Sequence, residues 1–336
     1  MEVFIVKSNP RYAIVGATGM VGRAFLKVIE ERKIQAKEFV LFASKRSAGV
    51  RIAFLGREYE VQELREDSFD SGFDIALFSA GGDVSLQYAP IAAARGCVTI
   101  DNSSAWRMDP AVPLVVPEVN SDAVMGHSGI IANPNCSVIP SVVALKPIYD
   151  AYGIKRIVYS TYQSASGAGR AGWEELENGL KGLPPKRFPH PIAFNCLPHI
   201  DVFLENGYTK EEMKMVNETR KILGDSSIAI TATTVRVPVF LSHCISINAE
   251  LERPFDLPKL QEKLSAAPGV ILLDDPQNNV YPTPLDAAGH DEVFVGRVRR
   301  DESVENGVNL WVAADNIRKG AATNAVQIAE EWLRRI

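Results

Sequence analysis

One cysteine stands where its thiolate form is favoured. Asn133-Pro134-Asn135 precede Cys136, and an apolar, helix-like run from Val138 follows it. Asn135 is a common helix cap and Pro134 fits poorly inside a helix, so the pattern predicts a helix beginning at Cys136. Unpaired N–H groups and the positive dipole end there would lower the thiol pKa from roughly 8.5 toward neutral. The residue is therefore a candidate nucleophile, and a small buried apolar side chain is the alternative.

Side chains that could assist a nucleophile occur further along the chain. Gln163 ends a β-rich segment that begins at Ile154. Arg236 and His243 flank a turn at Pro238 between two long strands of alternating pattern. A histidine near an arginine at a strand end is a candidate acid–base group, although single histidines are more often structural.

Three further charged residues stand out in the sequence. Glu211 and Lys214 share one face of a helix that Thr209 caps, where a solvated ion pair is the ordinary interpretation. Arg107 lies in a polar loop that follows a buried strand beginning at Val98. Loops at the carboxyl ends of parallel strands line a binding crevice, so Arg107 is either an anion-binding residue or a surface arginine.

A glycine-rich turn joins the first strand, Arg11 to Val15, to a helix that carries Phe25 and Ile29. This strand–turn–helix order is the context of a dinucleotide fingerprint, here spaced G-x-x-G-x-x-G. Glycines permit the tight turn and close backbone approach, and the helix N-terminus faces the pyrophosphate. A glycine-rich turn in another kind of α/β protein is the alternative. The residues expected to bind the cofactor are Gly16, Thr18, Gly19, Met20, Val21 and Gly22.

The end of the second strand indicates which dinucleotide is bound. NAD-selective sites usually place an acidic residue there for the ribose 2′-hydroxyl. This chain instead has Ser44, Lys45, Arg46 and Ser47, with two cations and two hydroxyls. These groups suit a 2′-phosphate, so NADP(H) is favoured over NAD, with a solvated basic turn as the alternative.

The order of elements predicts two domains. Strands and helices alternate through residue 132, which is typical of a doubly wound parallel sheet. Long strands, expected to be antiparallel, with helices on one face then indicate an α+β domain. The pattern changes near Gly129, and the terminal helix is expected to pack back on the first domain. The boundaries predicted are 1–129 with 317–336, and 130–316.

Composition excludes several classes of protein. The 336 residues are 46% hydrophobic and 23% charged, with a net charge of -5, which favours neither nucleic acid nor an anionic membrane as partner. No stretch reaches the roughly 20 apolar residues of a transmembrane helix, and Val3–Val6 is too short for a signal peptide. The four cysteines have no zinc spacing, so no metal and a reduced, cytoplasmic location are expected.

Taken together, these motifs resemble the aspartate-β-semialdehyde dehydrogenase family over nearly the whole chain from Arg11. The resemblance implies a homodimer of chains with an NADP-binding Rossmann domain and a catalytic and dimerisation domain like that of glyceraldehyde-phosphate dehydrogenase. It rests on the residues at 16–22, 46–49, 101–107, 133–137 and 315–322, and on Gln163, Glu211, Lys214, Arg236 and His243.

The reaction implied is NADPH-dependent conversion of L-4-aspartyl phosphate to L-aspartate 4-semialdehyde, in lysine, threonine and methionine biosynthesis. Cys136 would form a thioester, His243 would act as acid–base, and Gln163 would orient the substrate. The resemblance implies the remaining roles as follows: Arg236 and Glu211 bind substrate, Arg107, Lys214 and Asn135 bind phosphate, and Ser166, Gly167 and Asn316 lie by the nicotinamide.

Three other functions have to be weighed. N-acetyl-γ-glutamyl-phosphate reductase shares the chemistry, but its substrate has an acylated amine, for which Glu211 would be misplaced. A non-catalytic dinucleotide-binding paralogue would be expected to lose Cys136, Gln163 or His243, and all three are present. A cysteine hydrolase would leave the glycine fingerprint without a purpose.

Overall fold

The computed structural model describes residues 9–336; the patch at Val3–Val6 lies outside the described residues. No helix among residues 9–336 is long and apolar enough to cross a membrane. These residues form fourteen strands: β1 (Arg11–Val15), β2 (Glu38–Ala43), β3 (Arg51–Phe54), β4 (Arg57–Glu60), β5 (Gln62–Glu63), β6 (Ile75–Phe78), β7 (Val98–Asp101), β8 (Ile130–Ala132), β9 (Ile154–Gln163), β10 (Ala229–Arg236), β11 (His243–Leu251), β12 (Val270–Leu272), β13 (Val293–Asp301) and β14 (Gly307–Ala314). The same residues form nine α-helices: α1 (Met20–Glu31), α2 (Gly82–Ala94), α3 (Pro117–Asn120), α4 (Val138–Tyr152), α5 (Gly169–Leu180), α6 (Lys210–Leu223), α7 (Leu257–Ser265), α8 (Pro284–Ala287) and α9 (Thr323–Arg335).

The first compact unit comprises the described residues up to Pro134 together with Ala321–Ile336. Its sheet has the order β5-β2-β1-β6-β7-β8, and every neighbouring pair is parallel. This is the strand order of a Rossmann sheet, in which the direction of winding reverses between β1 and β6. The predicted Rossmann-type fold is therefore confirmed.

The C-terminal helix α9 belongs to this first unit. Ala325, Ile328 and Ala329, spaced to share one helical face, are buried in a hydrophobic cluster with Phe25 and Ile29 of α1. This apolar face packs the C-terminal helix onto the Rossmann unit.

The second compact unit is Asn135–Gly320, which contains a mixed sheet in the order β10-β9-β11-β14-β13-β12. The sheet and its helices confirm the predicted α+β class. The expectation of antiparallel strands is correct for β11, which pairs antiparallel with β9 and β14. It is wrong for β10. The strand β9 lies between β10 and β11, so β10 pairs with β9, and this pairing is parallel.

The connection between β10 and β11 crosses the end of β9. The N–H of Val237 donates to the carbonyl of Gln163 at 3.0 Å, and Ser242 then reverses the chain with a φ of +73°. Arg236 lies opposite Gln163 in the β10–β9 register, and His243 begins β11 on the other side of β9. The crossing therefore brings Arg236, Gln163 and His243 to one end of the sheet.

The division between the units differs from the predicted boundaries at 129/130 and 316/317. It falls after Pro134 and after Gly320. The strand β8 belongs with the first sheet because it pairs with β7, with Ile131 opposite Ile100. The predicted assignment of catalysis and dimerisation to the second part of the chain stays a prediction.

Candidate active site

Cys136 lies in the turn that leads into α4. Asn135 opens this turn, since its carbonyl accepts the N–H of Ile139 at 3.0 Å and its Oδ1 accepts the N–H of Ser137 at 2.9 Å. The predicted helix start at Cys136 is two residues too early, because the Asn135 side chain holds this first turn and regular helix begins only at Val138. The thiol still stands directly before a helix N-terminus.

His243, the first residue of β11, faces this thiol. Its Nε2 lies 3.2 Å from the Sγ of Cys136, although 107 residues separate them. The imidazole is fully buried. Burial, and then the positive charge of Arg236, lower the pKa of His243 to about 3. The histidine is therefore neutral beside the cysteine near neutral pH.

The other imidazole nitrogen belongs to a buried polar network. Nδ1 of His243 accepts the main-chain N–H of Ser164 at 3.1 Å, and the Ser164 Oγ lies 3.1 Å from the same nitrogen. The hydroxyls of Ser164 and Ser166 donate to Oδ1 of Asn316 at 3.1 and 3.2 Å. A side chain added at Gly167 would meet Nε2 of His243 at 3.2 Å. Ser166, Gly167 and Asn316 thus surround the histidine, and Ser164 was missed in the sequence.

The carboxylate of Glu211 joins three other predicted site residues. Oε1 accepts Nδ2 of Asn135 at 2.9 Å and Nε2 of Gln163 at 3.1 Å, while Oε2 accepts Nζ of Lys214 at 2.9 Å. Burial would raise the pKa of Glu211, but the charge of Lys214 and these hydrogen bonds lower it to about 2. Glu211 is only 5% exposed, so this is a buried ion pair and not the solvated pair that its spacing suggests.

Lys214 has a second acidic partner that the sequence did not reveal. Its Nζ also donates to Oδ2 of Asp201 at 2.9 Å. Burial lowers the pKa of Lys214, but Glu211 and Asp201 outweigh it, and the pKa is raised overall. An ammonium has three hydrogens, so one remains for another acceptor such as a phosphate oxygen.

Arg236 is buried, and one of its N–H donors has no protein acceptor within residues 9–336. Its Nη1 donates to the carbonyl of Ser164 at 2.7 Å, and its guanidinium lies 5.8 Å from the ring centre of Phe188. Its Nε is buried and has no hydrogen-bond partner among the described residues. A buried donor of this kind is costly unless a ligand supplies the acceptor.

Arg107 is buried in the first unit. Its Nε donates to the carbonyl of Asn133 at 2.9 Å and its Nη2 to the carbonyl of Asn102 at 2.7 Å. Asn135 and Lys214 belong to the second unit, where Glu211 connects them. The role of Arg107 in phosphate binding stays a prediction.

A cavity of about 500 Å³ lies at the carboxyl ends of β1 and β6, where the Rossmann sheet reverses its winding. Leu64, Val84, Gln87 and Tyr88 also line it and were not predicted; the last three lie on α2, and the sequence does not reveal which face of that helix meets the glycine turn. Six predicted cofactor residues line the cavity: Gly16, Thr18, Gly19, Ser44, Arg46 and Ser47.

The glycines of the turn are required by close packing. Gly16 has a φ of +85°, and a Cβ there would clash with the carbonyl oxygen of Ser79. A Cβ on Gly22 would clash with the carbonyl oxygen of Gly16. Met20, Val21 and Gly22 lie in the first turn of α1 and are not among the residues that line the cavity. This cradle fits a dinucleotide phosphate at the start of a helix.

The other three cysteines differ from Cys136. Burial raises the pKa of Cys97 and of Cys244 to about 12, and Cys196 is exposed. Among residues 9–336, no group of three or more His, Cys, Asp and Glu side chains could hold a metal ion.

Comparison with known proteins identifies the family. Residues 11–127 match a model of the semialdehyde dehydrogenase NAD-binding domain, and residues 145–319 match one of the semialdehyde dehydrogenase dimerisation domain. The aspartate-semialdehyde dehydrogenase of Aquifex aeolicus is 59% identical over 95% of this chain and 97% of that protein. The aspartate-semialdehyde dehydrogenase of Legionella pneumophila is 53% identical over 95% of this chain and 94% of that protein.

Solved structures agree with these relatives. Aspartate semialdehyde dehydrogenase II of Vibrio cholerae, complexed with ASA, has a TM-score of 0.93 at 51% identity and covers 97% of this chain and 98% of that chain. The structure of the Candida albicans enzyme with NADP has a TM-score of 0.77 at 25% identity and covers 96% of this chain and 98% of that chain. The first unit is thus a nicotinamide-dinucleotide-binding domain. The predicted family is confirmed, and the chain belongs to the aspartate-semialdehyde dehydrogenase family.

Proposed function

We propose that this chain reduces L-4-aspartyl phosphate to L-aspartate 4-semialdehyde and releases phosphate, using NADPH. The reaction lies on the route from aspartate to lysine, threonine and methionine. The observation that carries the proposal is the Cys136–His243 contact of 3.2 Å, which lies in one unit with the charged residues Arg236, Glu211 and Lys214.

Cys136 is the proposed nucleophile. Its thiolate attacks the acyl carbon, the carbon–sulfur bond forms, and the bond from that carbon to the phosphate oxygen breaks. Bound NADPH supplies the hydride that reduces the thioester, and the resulting thiohemiacetal oxyanion expels the thiolate to form the aldehyde. His243 is the proposed acid–base group, placed to interact with the sulfur and with the developing oxyanion. Gln163, held by Glu211 and Thr161, orients the substrate.

Arg236 is suited to the substrate α-carboxylate. The buried Nε that has no protein partner would gain an acceptor when the carboxylate binds. The Nη1 contact with the carbonyl of Ser164 holds the guanidinium plane in place beforehand. Preorganisation of this kind reduces the entropy lost when substrate binds.

Glu211 is suited to the substrate ammonium. Three protein donors already occupy its two oxygens, and a carboxylate offers about four acceptor positions. One acceptor position is therefore left for a ligand cation. Lys214 retains one N–H for phosphate, and Arg107 and Asn135 are the proposed additional phosphate ligands.

NADP(H) is the proposed cofactor. The cavity lining, drawn from residues 9–336, includes Arg46 with Ser44 and Ser47 but no carboxylate. Glu63 does lie beside the end of β2, opposite Ala43, but its carboxylate forms an ion pair with Arg65 at 2.7 Å. The relative from Candida albicans was solved with NADP. Ser166, Gly167 and Asn316 are the proposed residues on the nicotinamide side.

A homodimer in the cytoplasm is the proposed state of the protein. The family domain that matches residues 145–319 is described as a dimerisation domain. One face of the mixed sheet carries Tyr162, which is 40% exposed, and Trp311, 5.3 Å away between ring centres. This face is the proposed contact between the two copies. Sedimentation velocity should give twice the chain mass, and a monomer at all concentrations would rule the dimer out.

The experiment that tests the proposed function compares two substrates in the oxidative direction. With NADP and inorganic phosphate, L-aspartate 4-semialdehyde should raise the absorbance of reduced nicotinamide. N-acetyl-L-glutamate 5-semialdehyde should be at least about 100-fold poorer in kcat/KM, because its acylated amine leaves the Glu211 acceptor unpaired. A preference for the acetylated substrate, or turnover of neither, would refute the assignment.

A further inference from the structure

One buried carboxylate anchors the segment that follows α5. Glu175, on that helix, is 7% exposed. Its Oε1 accepts the main-chain N–H groups of Lys186, Arg187 and Phe188 at 2.8, 3.0 and 3.3 Å. Burial would raise the pKa of Glu175, but these N–H groups and the charge of Lys186 outweigh burial and lower it. The carboxylate is therefore ionised near neutral pH, and its three hydrogen bonds are of the stronger, charge-assisted kind.

The last anchored residue faces the substrate site. The guanidinium of Arg236 lies 5.8 Å from the ring centre of Phe188, within the range in which an aromatic face attracts a cation. The same ring packs against a cluster of four buried apolar residues, Ala165, Leu176, Ile192 and Leu197. Leu176 directly follows Glu175 on α5. The helix therefore supplies both a part of the apolar cluster and the carboxylate that holds the main chain.

Three contacts hold Arg236. Its main-chain N–H donates to the carbonyl of Leu197 at 2.8 Å, and its carbonyl accepts the N–H of Leu197 at 2.9 Å. Its Nη1 donates to the carbonyl of Ser164 at 2.7 Å. A hydrogen bond at one corner still allows the guanidinium to turn about that bond, and the ring of Phe188 restricts this turn. Of the three contacts, only the ring belongs to the residues that Glu175 anchors.

We propose that Glu175 is a positioning residue for substrate binding: by anchoring the main chain of residues 186–188 it holds the ring of Phe188 against the guanidinium of Arg236. The inference rests on the proposed function, in which Arg236 binds the substrate α-carboxylate. A guanidinium that is already oriented loses less entropy when the carboxylate binds. The thiol and the imidazole of the site are held by other elements, so loss of the anchor should raise KM for the substrate and change kcat little.

Two variants of Glu175 separate the anchor from its charge. Glu175→Gln keeps an oxygen that can accept the three N–H groups, whereas Glu175→Ala leaves them without this acceptor. We expect Glu175→Ala to raise KM for L-aspartate 4-semialdehyde about 3- to 10-fold and Glu175→Gln by less than about 2-fold. In both variants kcat and the Kd for NADPH should stay within about 2-fold of the original values.

The matched control is Glu174→Ala, on the same helix and in an exposed ion pair with Arg170, which should change none of these constants. An unchanged KM in Glu175→Ala would overturn the proposal. Parallel losses of kcat and of NADPH affinity in that variant would also overturn it, because they would indicate general damage to the unit.

A double-mutant cycle tests whether the effect passes through the ring. Phe188→Leu keeps an apolar side chain in the cluster and removes the aromatic face, so KM should rise about 3- to 10-fold. Adding Glu175→Ala to Phe188→Leu should raise KM by no more than about a further 2-fold, because the ring that the anchor holds is already absent. Multiplication of the two single effects would show that Glu175 does not act through Phe188.

Hydrogen exchange tests the anchor itself without substrate or cofactor. Residues 183–189 read Leu-Pro-Pro-Lys-Arg-Phe-Pro, so a proteolytic peptide of this range has only the main-chain amides of Lys186, Arg187 and Phe188 to report. We expect these amides to be protected in the original chain and in Glu175→Gln, and to exchange at least about 10-fold faster in Glu175→Ala. Unprotected amides in the original chain, or equal protection in Glu175→Ala, would overturn the proposal. Turnover does not enter this measurement, so its failure is distinct from failure of the proposed function.

Discussion

Glu211 and Lys214, one turn apart on α6, form an ion pair of 2.9 Å in which the carboxylate side chain is 7% exposed and the ammonium side chain 17%. The pair is also part of the site, because the same carboxylate accepts the side-chain amides of Asn135 and Gln163. Asn135 directly precedes the nucleophile, so the charge that is proposed to recognise substrate also orients the turn that carries Cys136.

Glu211→Gln should destabilise the fold and reduce activity. A glutamine offers one acceptor oxygen and an NH2 group, which cannot accept from the ammonium of Lys214. We expect a loss of about 3 kcal/mol in the free energy of unfolding, as for other buried pairs that lose one partner. Urea unfolding measures this loss, and Glu174→Gln, in the exposed pair of Arg170 and Glu174, is the matched control that should change little.

Ionisation of the same carboxylate should make the free energy of unfolding depend on pH in the acid range. The pKa of Glu211 is about 2 in the folded chain against its ordinary value of 4.5, so the unfolded chain binds more protons between these values. The contribution of the ionised Glu211 carboxylate to the free energy of unfolding is therefore complete above about pH 5 and is lost as the pH falls toward 2. Between about pH 5 and pH 3, the free energy of unfolding should fall less steeply in Glu211→Gln than in the original chain. Parallel slopes would show that Glu211 is not linked to folding.

Arg46→Ala should weaken binding of NADPH selectively. Arg46 lines the cofactor cavity, whereas its neighbour Lys45 is not among the lining residues. Loss of a hydrogen bond to a phosphate should raise the Kd for NADPH about 10- to 100-fold and leave the Kd for NADH nearly unchanged. Fluorescence titration measures both constants, with Lys45→Ala as the matched control. Equal weakening of both cofactors would place the 2′-phosphate elsewhere.

Two glycines of the turn should respond differently to an added methyl group. Gly22→Ala would drive its Cβ against the carbonyl oxygen of Gly16, whereas a Cβ on Gly19 would lie 3.4 Å from that oxygen. We expect Gly22→Ala to destabilise the chain by about 1–3 kcal/mol and to weaken dinucleotide binding. Gly19→Ala should be milder by both urea unfolding and NADPH titration. A reversed order would mean that the turn is not packed as described.

Local signals in the sequence account for much of the fold. β1 and β9 have the predicted bounds, and the Thr209 cap begins α6 as expected, with its hydroxyl accepting the N–H of Glu212 at 3.2 Å. The hairpin of β3 and β4 was missed because Leu55, with a φ of +50°, is an unusual residue type for the first position of its turn, although Gly56, with a φ of +72°, suits the second.

Partners that depend on strand order could not be predicted. Glu63 lies beside Ala43 only because β5 adds in parallel to β2. Ser164 meets His243 only because the β10–β11 connection crosses the end of β9. The sequence carries the residue types of a site, but the contacts between them depend on pairings over long stretches of chain.

The role of Cys136 as nucleophile is tested most directly by its covalent intermediate. The full chain is mixed with L-4-aspartyl phosphate in the absence of NADPH, quenched in acid, and its mass measured intact and after digestion. We expect one aspartyl group bound to Cys136 by a thioester, released by hydroxylamine, and no adduct in Cys136→Ala. An aspartyl group on another residue, or full turnover by Cys136→Ala, would contradict the proposed mechanism.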